Sequence, residues 1–283
     1  MNFFFFLLFN TALAASVGLA ILCLANFLKI ELDFQYLIFL LLGSLLFSTP
    51  VGLINLLFSK RWAIKNFGIR IVEKPTNEAE LFLLKKVEEL SQKAGIKTPK
   101  VGVYEGPVNA FATGLSGKRG LIALSVYLFD IMTPGEIEGI LAHEIAHLKF
   151  RDNLTATLLW GTLNALSFTL TRFLALLFLL RDKEFLVFLL KPIEWLLHSV
   201  AFLVAMFYSR WREYRADAYA AKLGKAYELY GALKKFQTIE REYTSLPRGM
   251  RAFGIVGFFG NLLSTHPPLD KRLKRIERLM GRL

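Results

Sequence analysis

The chain has 283 residues, of which 54% are hydrophobic, and it carries 35 Lys and Arg against 23 Asp and Glu. A mean hydropathy of +0.42 excludes an ordinary soluble enzyme. The net charge of +12 fits nucleic acid or an anionic membrane surface. Because many basic residues flank apolar runs, the membrane is favoured and no nucleic acid is expected.

The first apolar runs, Phe3 to Leu28 and Tyr36 to Phe58, each reach the roughly 20 residues that a bilayer core demands. Lys29, Glu31 and Asp33 are the charges between them, so residues 1–58 are predicted to form a transmembrane helical hairpin. Ala12-Leu13-Ala14 resembles a signal-peptide cleavage site. The start lacks Lys and Arg, however, and apolar sequence continues past Ala14, which favours an anchor. Cys23, the single cysteine, lies in this run, which excludes an intrachain disulfide and a thiolate metal cluster.

Residues 59–153 read as the first part of a water-exposed domain. "NEAELFLLKKVEELSQKAG" predicts a helix, with Asn77 and Glu80 as a capping pair and Gly95 as its stop. "KVGVYE", "NAFATG" and "LIALSVYLF" are short β-prone runs that predict a small sheet. In "TPGEIEGILAHEIAHLKF", Thr133 caps a helix over Pro134 to about Phe150 and Glu136 completes a capping box. Glu136, Glu138, Lys149 and Arg151 predict that this helix is amphipathic and near water.

Residues 154–208 hold a second hydrophobic pair, Leu154 to Leu180 and Phe185 to Phe207. Thr157, Gly161 and Ala165, four apart, offer a close-packing face. Lys191, Glu194 and His198 share a helix face that is expected to pack inward, opposite Arg172. Two hairpins place 59–153 and 209–283 on one side. Lys60, Arg61, Lys65, Arg70, Arg210, Arg212 and Arg215 mark that side as cytoplasmic, in a multi-pass protein of the cell (inner) membrane. Residues 209–283 complete the domain and end in a basic amphipathic helix, Leu269 to Leu283.

The sharpest chemical signal is "HEIAH". His143 and His147 stand one helical turn apart and offer two imidazoles to a single Zn2+, with Glu144 beside the first as the base for an attacking water. Four histidines in 283 residues give this pattern by chance roughly 0.003 times per chain. A catalytic zinc needs a third protein ligand. "SRWREYRADAYAAKLG" supplies Glu213 as that candidate and Asp217, on the same face, to accept the free N–H of a liganding histidine. A solvated helix face is the alternative for that pair, and a structural metal clamping a non-catalytic membrane scaffold is the alternative for the motif.

These motifs in order ("NAFATG", "HEIAHLKFRD", the second hydrophobic pair, "SRWREYRAD" and "STHPPLDKRL", after an amino-terminal hairpin) resemble the HtpX family of membrane-embedded zinc metalloproteases, relatives of the CAAX prenyl proteases. Phe150 departs from the polar residue these proteins often carry there. The resemblance implies an α+β, mostly helical zincin-like domain with a small β-sheet, anchored by up to four transmembrane helices. It also implies His143, His147 and Glu213 as ligands of one Zn2+, Glu144 as base, and proteolysis of membrane or misfolded proteins in quality control. Within it, Asn109, Ala110, Phe111 and Ala112 become an edge strand for an added substrate strand. Asn109 is either a donor to the substrate carbonyl or a turn residue. His266 is either an oxyanion stabiliser or a cap, and Arg272 and Asp152 are ion-pair or capping residues. A narrow-specificity processing protease is the enzymatic alternative.

Overall fold

A computed structural model describes residues 34–179, 190–245 and 267–281, together with Leu19, Leu22, Cys23, Asn26 and Phe188. Its contacts divide the chain into two units, Met1–Asn55 with Leu154–Phe207, and Leu56–Asn153 with Tyr208–Leu283.

The second unit is a mixed sheet with helices. After helix α1 (Phe34–Asn66) comes β1 (Arg70–Ile71), then α2 (Glu78–Ala94). Asn77 Oδ1 accepts from the Glu80 amide at 2.8 Å, and Gly95 ends α2 in the left-handed conformation at φ 68°. The strands β2 (Lys100–Tyr104), β3 (Ala110–Gly114) and β4 (Gly120–Ser125) join β1 in the order β1-β2-β4-β3. β2 and β4 are parallel; the other pairs are antiparallel. β4 is buried throughout, since Ile122 and Leu124 face one hydrophobic cluster while Leu121 and Ala123 face another. The expected strand "LIALSVYLF" stops at Ser125, whose hydroxyl donates to the Gly106 carbonyl at 2.6 Å. The next residues wind into α3 (Leu128–Ile131). β1 has only two residues, too few to show a periodicity.

Helix α4 (Pro134–Phe150) has the expected capping box at Thr133 and Glu136. It is not a surface helix, contrary to the amphipathic expectation: most of its residues are buried among α2, β3, β4 and α7 (Ala226–Ser245). Glu136 and Glu138 tolerate this because they are matched. Glu138 pairs with Lys225 at 3.1 Å and Lys86 at 3.2 Å, and Glu136 with Lys235 at 2.6 Å. Gly139 permits the close approach of α7, for a Cβ there would stand 2.4 Å from the Leu229 nitrogen. The unit closes with α8 (Leu269–Met280), packed on α7.

Among the described residues, the first unit holds parts of α1, α5 (Asp152–Leu179) and α6 (Leu190–Lys222). Gly161 and Ala165 are buried, and a Cβ at Gly52 would lie 2.8 Å from Thr157 Cγ2, so small residues do set the helix approach. Lys191 and His198 are exposed rather than packed inward. Glu194 instead lies 3.0 Å from Lys191 and 3.9 Å from His198 along the same helix. Trp195, Leu196, Val200 and Phe207 leave an apolar surface on α6. Among the described residues α6 is the one helix long and apolar enough to cross a membrane. Most of the expected Phe3 to Leu28 span lies outside the described residues.

Glu80 ties the start of α2 to β1. It is 3% exposed, pairs with Arg70, and accepts from the Thr76 amide and hydroxyl at 2.8 and 2.9 Å. The Arg70 hydrogen bond, followed by that of the Thr76 amide, holds its carboxyl at about 2, below the ordinary 4.5. This contribution is therefore complete above pH 4.5 and fades as pH falls toward 2. Glu80→Gln is expected to cost about 1.5–3 kcal/mol at neutral pH. In denaturant unfolding, the gap from wild type should shrink on acidification.

Candidate metal centre and active site

α4 and α6 meet at the motif. One helical turn places the His143 and His147 rings edge to face, with centroids 4.7 Å apart and the two Nε2 atoms 3.1 Å apart. From α6, Glu213 Oε2 stands 3.5 Å from His143 Nε2 and Glu213 Oε1 stands 3.5 Å from His147 Nε2. One ligand atom from each of the three residues lies within 4.8 Å of the others. Tetrahedral zinc with bonds near 2.0–2.1 Å separates its ligand atoms by about 3.3 Å. The observed spacings sit on either side of that value.

The outer nitrogens of both rings are occupied. His143 Nδ1 is 2.9 Å from Asp217 Oδ1, and His147 Nδ1 is 2.7 Å from Asp152 Oδ2. When each Nδ1–H donates to its carboxylate, both Nε2 atoms turn a lone pair toward the other and toward Glu213. Three electron-pair donors then converge on one point, an arrangement suited to a cation. The donor set, two imidazoles and a carboxylate, is one that zinc accepts.

Carboxylates dominate the local field. Burial alone would lower the His143 pKa, yet hydrogen bonding to Asp217 and then Glu213 raises it to about 9, so this pocket favours positive charge. Arg272 is also buried and is still held in its charged form, chiefly by Asp217. Its Nε and Nη2 donate to the two Asp217 oxygens at 2.9 and 2.6 Å.

Glu144 sits next to His143 on α4 and is 8% exposed. Its charge reaches Tyr104, whose phenol is pushed up to about 12 by burial and, secondarily, by Glu144. β3 is an edge of the sheet. Ser125 donates its amide to the Asn109 carbonyl at 2.9 Å, which fixes the alternation and turns the Ala112 and Gly114 carbonyls outward. Asn153 Nδ2 reaches those carbonyls at 3.4 and 3.3 Å. Ala110 and Ala112 pack toward the core that contains α4, while Phe111 packs on the opposite face with Tyr104 and Phe67. Asn109 Oδ1 accepts from the Ala110 amide at 2.9 Å, a local turn contact. His266 lies outside the described residues.

His143, Glu144, His147, Glu213 and Asp217 are thus brought together. Asp152 and Arg272 form ion pairs, as expected of them, but on the very carboxylates that hold the two histidines. The signal for Asp152 was its place just past the end of the HEIAH helix. Arg272 carries no local signal, being 55 residues from Asp217.

Residues 78–280 match the model for peptidase family M48. The chain belongs to that family. As an M48 peptidase it is a metalloprotease, a hydrolase of peptide bonds. It is 39% identical over 250 residues to Protease HtpX of Mannheimia succiniciproducens, covering 84% of this chain and 87% of that one. It is 41% identical over 252 residues to Protease HtpX homolog of Neisseria meningitidis, covering 84% and 88%. The fold is similar to the crystal structure of S. mikatae Ste24p, with a TM-score of 0.60 and 22% identity. That match covers 94% of this chain and 64% of the Ste24p chain.

Loss of the α6 carboxylate is expected to empty the centre. Purified Glu213→Ala protein should elute without stoichiometric metal where wild type retains one ion per chain. Elemental analysis of the two preparations checks this.

Proposed function

We propose that this M48 metalloprotease is a zinc-dependent endopeptidase held in the cell membrane, which cleaves exposed segments of misfolded or unfolded membrane proteins. The observation that carries the reading is the convergence of His143 Nε2, His147 Nε2 and the Glu213 carboxylate in a buried pocket beside Glu144. A zinc ion held by those three residues supplies Lewis acidity that makes water a nucleophile near neutral pH. Glu144 accepts the proton of the attacking water and passes it to the leaving amine. Asp217 and Asp152 keep the imidazoles oriented throughout.

The substrate strand adds to β3 along Ala110, Phe111 and Ala112, whose edge has no further strand among the described residues. Asn109 and His266 are the candidate donors to the substrate carbonyl. An edge strand reads main chain more than side chains, which suits substrates defined by being unfolded.

Residues 1–58 and 154–208 serve as membrane hairpins, while 59–153 and 209–283 form the catalytic domain. The contact division near Asn55, Asn153 and Phe207 and the exposed apolar face of α6 support that organisation. The basic residues from Lys60 to Arg70 and from Arg210 to Arg215 support a cytoplasmic catalytic domain.

Glu144→Gln protein in detergent is expected to keep its zinc and to lose casein cleavage by at least about 100-fold, the size of a general-base contribution. Retained cleavage would overturn the assignment. Retained zinc distinguishes a lost base from a lost metal centre.

A further inference from the structure

Between α4 and α5 the chain turns at Arg151, which has φ 54°. No other non-glycine among the described residues has a positive φ, and that backbone is disfavoured for any residue bearing a Cβ. The turn has a geometric consequence. On an unbroken helix a residue five places after His147 would lie about 140° around the axis from it. With the break, Asp152 turns back so that its Oδ2 stands 2.7 Å from His147 Nδ1.

Asp152 is fully buried, so its charge requires a partner. That partner is Arg215 of α6, which pairs with Asp152 Oδ1. The Arg215 guanidinium is itself enclosed. It lies 4.2 Å from the centroid of Phe150, the last residue of α4, and 4.5 Å from that of Trp211, one turn earlier on α6. A planar, weakly hydrated guanidinium suits a slot between two rings, where a lysine ammonium does not.

We propose that Arg215, clamped between Phe150 and Trp211, is a positioning residue. It fixes the Asp152 carboxylate, which in turn holds the His147 ring with Nε2 facing the metal position. The proposal rests on the reading of His147 as a zinc ligand. It also gives α6 a single role at the centre. Within five residues that helix carries the ligand Glu213, the Asp217 that orients His143, and the Arg215 that orients His147 through Asp152. Phe150, which departs from the polar residue expected there, becomes one wall of the clamp.

The test uses full-length protein in detergent and four variants: Arg215→Gln, Arg215→Lys, Asp152→Asn and the double Asp152→Asn/Arg215→Gln. Zinc affinity is read by competition with a chromophoric chelator, the visible spectrum by cobalt(II) loading, and folding by melting of the metal-free proteins. Arg215→Gln is expected to weaken zinc binding about 10–100-fold and shift the cobalt bands, with metal-free melting lowered by loss of the buried ion pair. Arg215→Lys should fall between it and wild type. Asp152→Asn should lose a similar factor, and the double variant no more than Asp152→Asn alone.

Wild-type affinity in Arg215→Gln, or losses that multiply in the double variant, would overturn the proposal. Should Arg215→Gln fail to fold, Arg215→Lys decides: wild-type affinity and an unshifted cobalt spectrum in it overturn the proposal equally. Wild-type protein that binds no zinc would instead overturn the metal reading beneath it.

Discussion

Two imidazole nitrogens 3.1 Å apart, both facing one carboxylate, form a buried polar cluster that needs support from around it. Proteins avoid such arrangements in a buried setting unless something holds them. Here the holding is done from outside, by Asp217 and Asp152 on the two Nδ1 atoms and by Arg272 and Arg215 on those aspartates. Around the three donors lie the two aspartates. Guanidinium groups meet both those aspartates and Glu213, from which Arg212 and Arg272 stand 3.6 and 3.7 Å. The guanidinium groups offset the carboxylates they touch, which lets this much charge be buried.

That arrangement demands rigid supports, because an ångström of slack in it would let a ring rotate. α4 meets the demand by being the central helix of its unit. The sheet and α2 pack on it, and α7 approaches to the distance that Gly139 allows. Glu136 and Glu138 are paired with lysines from α2, from the residue before α7, and from α7 itself. A helix carrying the reactive residues on a mobile surface would not preserve the approach of His143 to His147. The same demand explains the tolerated left-handed backbone at Arg151, where a local cost is offset by a fixed Asp152–His147 contact.

Local signals were legible in the sequence, and most pairings between distant segments were not, the approach of Glu213 and Asp217 to the HEIAH helix being the exception. Asn77, Gly95, Thr133 and Glu136 cap helices where they were expected to, since caps depend on neighbours three residues away. The spacing of His143 and His147, and that of Glu213 and Asp217, follows from helical periodicity alone, so the sequence placed each pair on one face. The burial of α4 was missed because Glu136 and Glu138 look like surface charges until Lys86, Lys225 and Lys235 are brought to them. Lys191 and His198 failed in the opposite direction: their helical spacing suggested a shared inward face, but Glu194 lies close enough to pair along the helix itself. The end of β4 at Ser125 was set by a side-chain contact with Gly106, which no β-propensity encodes.

The longest-range contact also couples the site to the stability of the domain. Arg272 comes from α8, which is seated on α7 through contacts such as Tyr230 with Glu277 at 2.6 Å, and α7 in turn packs on α4. His143 is thus oriented through Asp217 by an arginine of α8. If α8 detaches, Asp217 keeps a buried charge without its guanidinium, and the carboxylate that holds the His143 ring loses its own support. A metal that binds the native centre and not the unfolded chain then stabilises α8, α7 and α4 together, by mass action, through a contact network that includes no residue of α8 as a ligand. On this geometry, the charge balance of the Asp217–His143 pair depends on the seating of α8.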